Sequence, residues 1–145
     1  MESPGIRIEA PVPVVLVDAS FLVALWRKSD RHHSWAVREA RLHPPPWLTC
    51  ESVLSEADHL LAPDGCATLR LACRRGALRV AAMEGNAFLP VLDLLDKYAD
   101  VPMSIADACL VRLTEITPTP LILTTDADFR IYRRSGRRVV PTRMP

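Results

Sequence analysis

The chain has 145 residues, 49% apolar and 24% charged, with 18 basic and 17 acidic side chains for a net charge of +1. Those values exclude a disordered chain, a strongly basic nucleic-acid coat and an acidic tail. A chain this long buries about two thirds of its unfolded surface, so one domain over residues 1–145 can hold a core without a disulfide or metal staple. No apolar run approaches the ~20 residues of a membrane span.

Residues 1–12 read as a loose lead-in, with prolines at Pro4 and Pro11 and acids at Glu2 and Glu9. No stretch there has signal-peptide character, which predicts a protein that stays in the cytoplasm. Val14-Val15-Leu16-Val17 is a β-branched apolar run, the pattern of a strand buried on both faces in a parallel sheet. Asp18 follows directly. Phe21 to Trp26 is helical in character, and a second helix is expected over about Arg31 to Leu42, ended by Pro44-Pro45-Pro46. Trp47-Leu48-Thr49 predicts a short strand. Val53, Leu54, Ala57, Leu60 and Leu61 share one face of a helix over Glu51 to Ala62, with Thr49 placed to cap it. Pro63-Asp64-Gly65 predicts a turn, Cys66 to Arg75 a helix, and Ala77 to Ala82 a strand. Phe88, Val91, Leu92, Leu95 and Tyr98 mark a long amphipathic helix, with Pro90 in its first turn. Ser104 opens a helix to about Ile116. Leu121-Ile122-Leu123-Thr124 predicts a second buried strand, Asp126 to Arg134 a short helix, and Val139-Val140 a last edge strand. Strands that alternate with helices predict an α/β fold with a mostly parallel central sheet flanked by helices.

Ligands in open α/β sheets collect at the carboxyl ends of the strands. Asp18 and Asp126 both stand at such ends. Two carboxylates there repel each other unless they share a cation. Each is equally well placed as a helix N-cap. Glu56 lies beside the apolar stripe of its helix and reaches past its edge. Asp107 follows Ser104 by three residues, the spacing of a reciprocal capping box. The cysteines Cys50, Cys66, Cys73 and Cys109 lack the paired spacing of a zinc site and read as reduced, mostly buried thiols. The four histidines fall in no motif and read as surface residues.

The segments Val17-Asp18-Ala19-Ser20, Val53-Leu54-Ser55-Glu56-Ala57, Tyr98-Ala99-Asp100 leading to Ile105-Ala106-Asp107-Ala108, and Leu123-Thr124-Thr125-Asp126-Ala127-Asp128-Phe129 together resemble the PIN-domain nucleases. Within that family they are most similar to the VapC-type toxins of bacterial toxin–antitoxin pairs. The resemblance spans about Val14 to Pro141. It implies a Mg²⁺- or Mn²⁺-dependent endoribonuclease with metal-binding, catalytic carboxylates at Asp18, Glu56, Asp107 and Asp126. Asp128 is then a fifth, outer acid, and Ser20 and Thr125 are supporting hydroxyls. It also implies an RNA substrate and a small antitoxin partner. Oxygen donors suit such hard cations. Arginines at 130, 133, 134 and 137 are candidate RNA contacts, since arginine forks suit phosphates. A second cluster, Arg70, Arg74, Arg75 and Arg79, could serve the same end or grip an acidic partner. A mean hydropathy of +0.10 and the crowding of Phe21, Leu22, Leu25, Trp26 and Trp35 point to a partner surface or a homodimer. Two other readings compete: a non-catalytic interaction protein of the same fold, and a phosphatase with a strand-end aspartate nucleophile. The phosphatase reading expects a second acid two residues after the first, where this chain has Ser20.

Overall fold

The computed structural model describes residues 11–145, so the readings made for residues 1–10 lie outside the described residues. Five strands make one parallel sheet in the order β3-β2-β1-β4-β7: β1 (Val14–Val17), β2 (Trp47–Cys50), β3 (Leu78–Ala81), β4 (Pro120–Leu123) and β7 (Thr142–Arg143). Six helices flank it: α1 (Ala19–Trp26), α2 (His33–Leu42), α3 (Glu51–Leu61), α4 (Cys66–Arg74), α5 (Leu89–Lys97) and α6 (Ile105–Ile116). This is the α/β architecture the alternating pattern predicts. A hairpin of β5 (Arg133–Arg134) and β6 (Arg138–Val139) stands apart from the sheet.

The strand at the centre of the sheet is also the most apolar. Leu16 and Val17 are fully buried because β2 and β4 cover both edges of β1 and helices cover its faces. Phe21 of α1 packs edge-on against Trp35 of α2 and Trp47 of β2, with ring centroids 6.0 and 5.3 Å apart. Truncating Phe21 would cost about 3–5 kcal/mol, as deletion of a buried aromatic does. Phe21, Leu22 and Trp35 are therefore core, which corrects their assignment to a partner surface; only Leu25 and Trp26 of that group remain half-exposed. The edge strand β7 is tied to α2 by a two-pronged ion pair. Arg143 donates through Nε to Glu39 Oε2 at 2.6 Å and through Nη2 to Oε1 at 2.9 Å.

Several local expectations change. Cys50, not Thr49, precedes α3, and the Thr49 hydroxyl donates instead to the Val17 carbonyl at 3.0 Å, stitching β2 to β1. The segment after Asp126 makes one turn of 3₁₀ helix, Ala127–Arg130, and then enters the hairpin rather than continuing to Arg134. Gly136 at φ 87° makes the tight reversal there, a conformation glycine adopts without steric cost. The edge of the sheet is accordingly Thr142–Arg143, not Val139-Val140. Phe88 ends a 3₁₀ turn, Gly85–Phe88, and the α-helix proper starts at Leu89 with Pro90 in its first turn.

Candidate active site: carboxylates at the strand ends

Strand register builds the site. Val17 of β1 pairs with Leu123 of β4, so one residue later Asp18 and Thr124 stand level as both chains leave the sheet. Asp18 caps α1, accepting the Ala19 N–H at 2.8 Å. Asp126 caps the 3₁₀ turn, accepting the Asp128 N–H at 2.9 Å. Asp107 arrives from a third element. It completes a capping box at the start of α6, in which Ser104 Oγ accepts the Asp107 N–H at 3.0 Å and Asp107 Oδ2 accepts the Ser104 N–H at 3.2 Å. One oxygen from each of Asp18, Asp107 and Asp126 lies within 4.8 Å of the others. The capping role and the clustering role thus hold together for all three acids.

Hydroxyls hold the cluster. Thr124 donates to Asp18 Oδ2 at 2.8 Å and accepts the Asp126 N–H at 3.0 Å. Ser20 donates to the same Asp18 oxygen at 3.0 Å and accepts the Thr125 N–H at 3.0 Å. Thr125 joins this network through its backbone N–H, and the threonine whose hydroxyl reaches Asp18 is Thr124. The signal for Thr124 was present: a polar residue ending an apolar strand, level with Asp18. Tyr132 was missed altogether. Its phenol is fully buried against Tyr98 and Phe129 and donates to Asp107 Oδ2 at 3.1 Å. Nothing local in the sequence joins residues 107 and 132.

Among the described residues no basic side chain pairs with the cluster. Burial pushes the Asp18 carboxyl up to about 7; the Thr124 hydrogen bond opposes this and the Asp107 charge adds to it. Burial likewise raises Asp107, against the hydrogen bonds from Ser104 and Tyr132 and with the Asp126 charge adding. Three converging oxygens with no such partner fit a hard divalent ion such as Mg²⁺ or Mn²⁺.

Glu56 stands outside this triad. It is exposed on α3 and lines an open groove of about 660 Å³ with Ser52, Ser55, His59, Ser104 and Ile105. Its carboxyl is nonetheless raised, by burial first and then by the charges of Asp107 and Asp126, so it senses the cluster. Asp128 is half-buried and is not part of the triad. The arginines divide. Arg133 donates to the carbonyls of Arg130, Ile131 and Tyr132, and Arg134 donates to the Thr114 carbonyl at 2.6 Å; both brace the hairpin. Arg130 and Arg137 are exposed. In the other cluster, Arg70 pairs with Asp58 at 3.1 Å.

Residues 15–135 match the PIN domain family. No curated protein sequence matches the chain. The crystal structure of VapC20 from Mycobacterium tuberculosis, described as a sarcin–ricin loop cleaving toxin, superposes with a TM-score of 0.68 at 24% identity, covering 79% of this chain and 91% of that one. No helix among the described residues is long and apolar enough to cross a membrane.

Proposed function

Since this chain belongs to the PIN domain family, we propose that it is a divalent-metal-dependent endoribonuclease, the cytoplasmic toxin of a toxin–antitoxin pair. The observation that carries the proposal is the triad of Asp18, Asp107 and Asp126 oxygens within 4.8 Å of one another, with no ion pair to any of them among the described residues. The likeness to VapC20, a toxin named for cleaving the sarcin–ricin loop, supports RNA as the substrate class.

In this reading the triad holds Mg²⁺ or Mn²⁺. When bound, such an ion supplies charge neutralisation at the scissile phosphate and makes water more acidic. Glu56, with its raised proton affinity, takes the proton from the attacking water in the groove between α3 and the start of α6. Ser20 and Thr124 fix the orientation of Asp18, and Ser104 and Tyr132 that of Asp107. Exposed Arg130 and Arg137 hold the RNA backbone. An antitoxin segment would then meet an acidic centre with a basic rim, beside half-exposed Leu25 and Trp26. Pairing of two copies is read by light scattering on the purified protein.

The test is cleavage of RNA by purified protein with Mn²⁺ and with EDTA, for wild type, Asp18→Asn and Asp126→Asn. Activity that needs the ion and vanishes in both variants is expected. Cleavage that persists in EDTA, or in both variants, overturns the proposal.

A further inference from the structure

Two grooves meet on α3. The first, of about 660 Å³, runs between α3 and the start of α6 and holds Glu56. It opens beside the triad, because Ser104, which lines it, donates its N–H to Asp107. Glu51, Glu56 and His59 are the titratable groups along it, and no lysine or arginine lines it. The second groove, of about 430 Å³, runs between α3 and α4. Ser55 lines both, so the two grooves join over α3. Leu54, Leu69 and Cys73 make an apolar floor in the second groove, and the exposed Arg70 and Arg74 stand at its rim. Asp58 engages Nη2 of Arg70, at 3.1 and 3.3 Å. Among the described residues Arg74 enters no ion pair.

Resting on the ribonuclease reading above, we propose that α4 carries a phosphate subsite for the single-stranded RNA that flanks the cut, with Arg74 as its anchor. From the triad the strand follows the first groove, crosses α3 at Ser55 and lays a base on the apolar floor of the second. The phosphate beside that base meets Arg74.

Charge decides this path. The first groove offers carboxylates and hydroxyls, so a backbone phosphate gains nothing there. Affinity for the flanking strand has to come from the first cations beyond it, since phosphate contacts supply most non-specific binding. Those cations are on α4. An apolar floor with arginines at its rim also matches the two faces of an unpaired nucleotide: the base needs a flat apolar or guanidinium surface, and the phosphate needs a fork of N–H donors. An acidic peptide would find the same arginines, but it would gain nothing from a groove that leads on to Glu56 and the triad. The sheet places the other candidate contacts elsewhere. β2, which runs into α3, and β4, which runs into Asp126 and Arg130, lie on opposite sides of β1. The strand is therefore held on both sides of the scissile phosphate.

Fluorescence anisotropy of the full chain in EDTA tests the subsite without any cutting. The probe is an end-labelled, mixed-sequence single-stranded RNA of about 12 nucleotides, within the range of single-strand site sizes. Arg74→Ala should weaken binding about tenfold, the worth of one charge-assisted hydrogen bond. It should also lower the salt slope of the binding constant by about 0.7, the share of one phosphate on a single strand. Arg74→Lys keeps the charge and loses the fork, so it should restore the slope and only part of the affinity. Arg41→Ala removes the same charge from exposed α2, outside both grooves, and should change binding by less than about twofold. Thiouridine-substituted RNA should crosslink to peptides of α4. An Arg41→Ala loss as large as that of Arg74→Ala, or no crosslink on α4, overturns the subsite. So does an Arg74→Ala protein that loses affinity for an oligoglutamate peptide and keeps it for RNA, which would make the groove a partner site. Arg74-dependent binding by a protein that fails to cut RNA with Mn²⁺ upholds the subsite and overturns the ribonuclease reading. Cleavage by a protein whose RNA binding ignores Arg74 overturns the subsite alone.

Discussion

Replacing Asp18 by Asn should make the metal-free protein more stable at alkaline pH. The Asp18 carboxyl rises from an ordinary 3.8 to about 7 in the fold, chiefly through burial. A group whose folded pKa is raised contributes its stability below the unfolded value and loses it as pH climbs through the folded one. At about 1.36 kcal/mol per pH unit, the raised Asp18 carboxyl costs the fold about 4 kcal/mol at pH 8, where it is ionised, and about 1.5 kcal/mol at pH 5, where the fold keeps it protonated. Asn keeps the shape and removes the charge. Its amide nitrogen replaces an oxygen that accepts from Thr124 and Ser20, which gives back about 1 kcal/mol per hydrogen bond. The net gain at pH 8 is then about 2 kcal/mol, or roughly 4–8 °C in Tm for a chain of this size. Urea denaturation in EDTA at pH 5 and pH 8 measures it. The advantage of Asn over Asp should grow by about 2–3 kcal/mol between the two pH values. An Asp18→Asn protein no more stable than wild type at pH 8, or an advantage independent of pH, would refute the reasoning.

Three further outcomes are expected. Mn²⁺ should raise the Tm of wild type, because the ion binds only the assembled triad, and Asp126→Asn should lose most of that rise; differential scanning fluorimetry across a Mn²⁺ series reads both. Tyr132→Phe should lower kcat by about tenfold with little change in KM, since it frees Asp107 without touching the RNA path, and should cost only about 1 kcal/mol in urea melts. Arg143→Ala leaves the buried Glu39 carboxylate with only His43, 3.9 Å away, so stability should fall by about 1–3 kcal/mol, with faster hydrogen exchange in β7 than in β1.

The elements that could be read from sequence were those governed by local physics. Val14–Val17 and Leu121–Leu123 announce themselves as buried strands by being wholly apolar, and Pro90 and Ser104 mark helix starts by chemistry that acts within one turn. Misreadings fell where a distant contact decides. Asp126 to Arg134 has helix-compatible residues, but the pull of β6 on Arg133–Arg134 overrides them. Thr49 is a good capping residue, yet its hydroxyl goes to Val17 of the neighbouring strand. The site divides in the same way. Asp18 and Asp126 follow from strand ends, but Asp107 and Glu56 needed the family resemblance, because their spacing alone equally suits a cap and a solvated helix face. Tyr132 reaches Asp107 across 25 positions, a closure that periodicity does not encode.

Asp18 and Asp126 cap helical segments, and Asp107 is the third residue of α6, inside its capping box. The unpaired N–H groups at such ends carry about half a positive charge. The backbone therefore offers the triad a partial counter-charge before any ion arrives, and the protein can fold with its acids already in register. It also means that side-chain substitutions act on two quantities at once. Asn at position 18 or 126 removes charge and keeps a cap, whereas Ala removes both and adds about 1 kcal/mol of helix-end instability. Comparing the Asn and Ala series at one position separates what the carboxylate does for its helix from what it does for the cation.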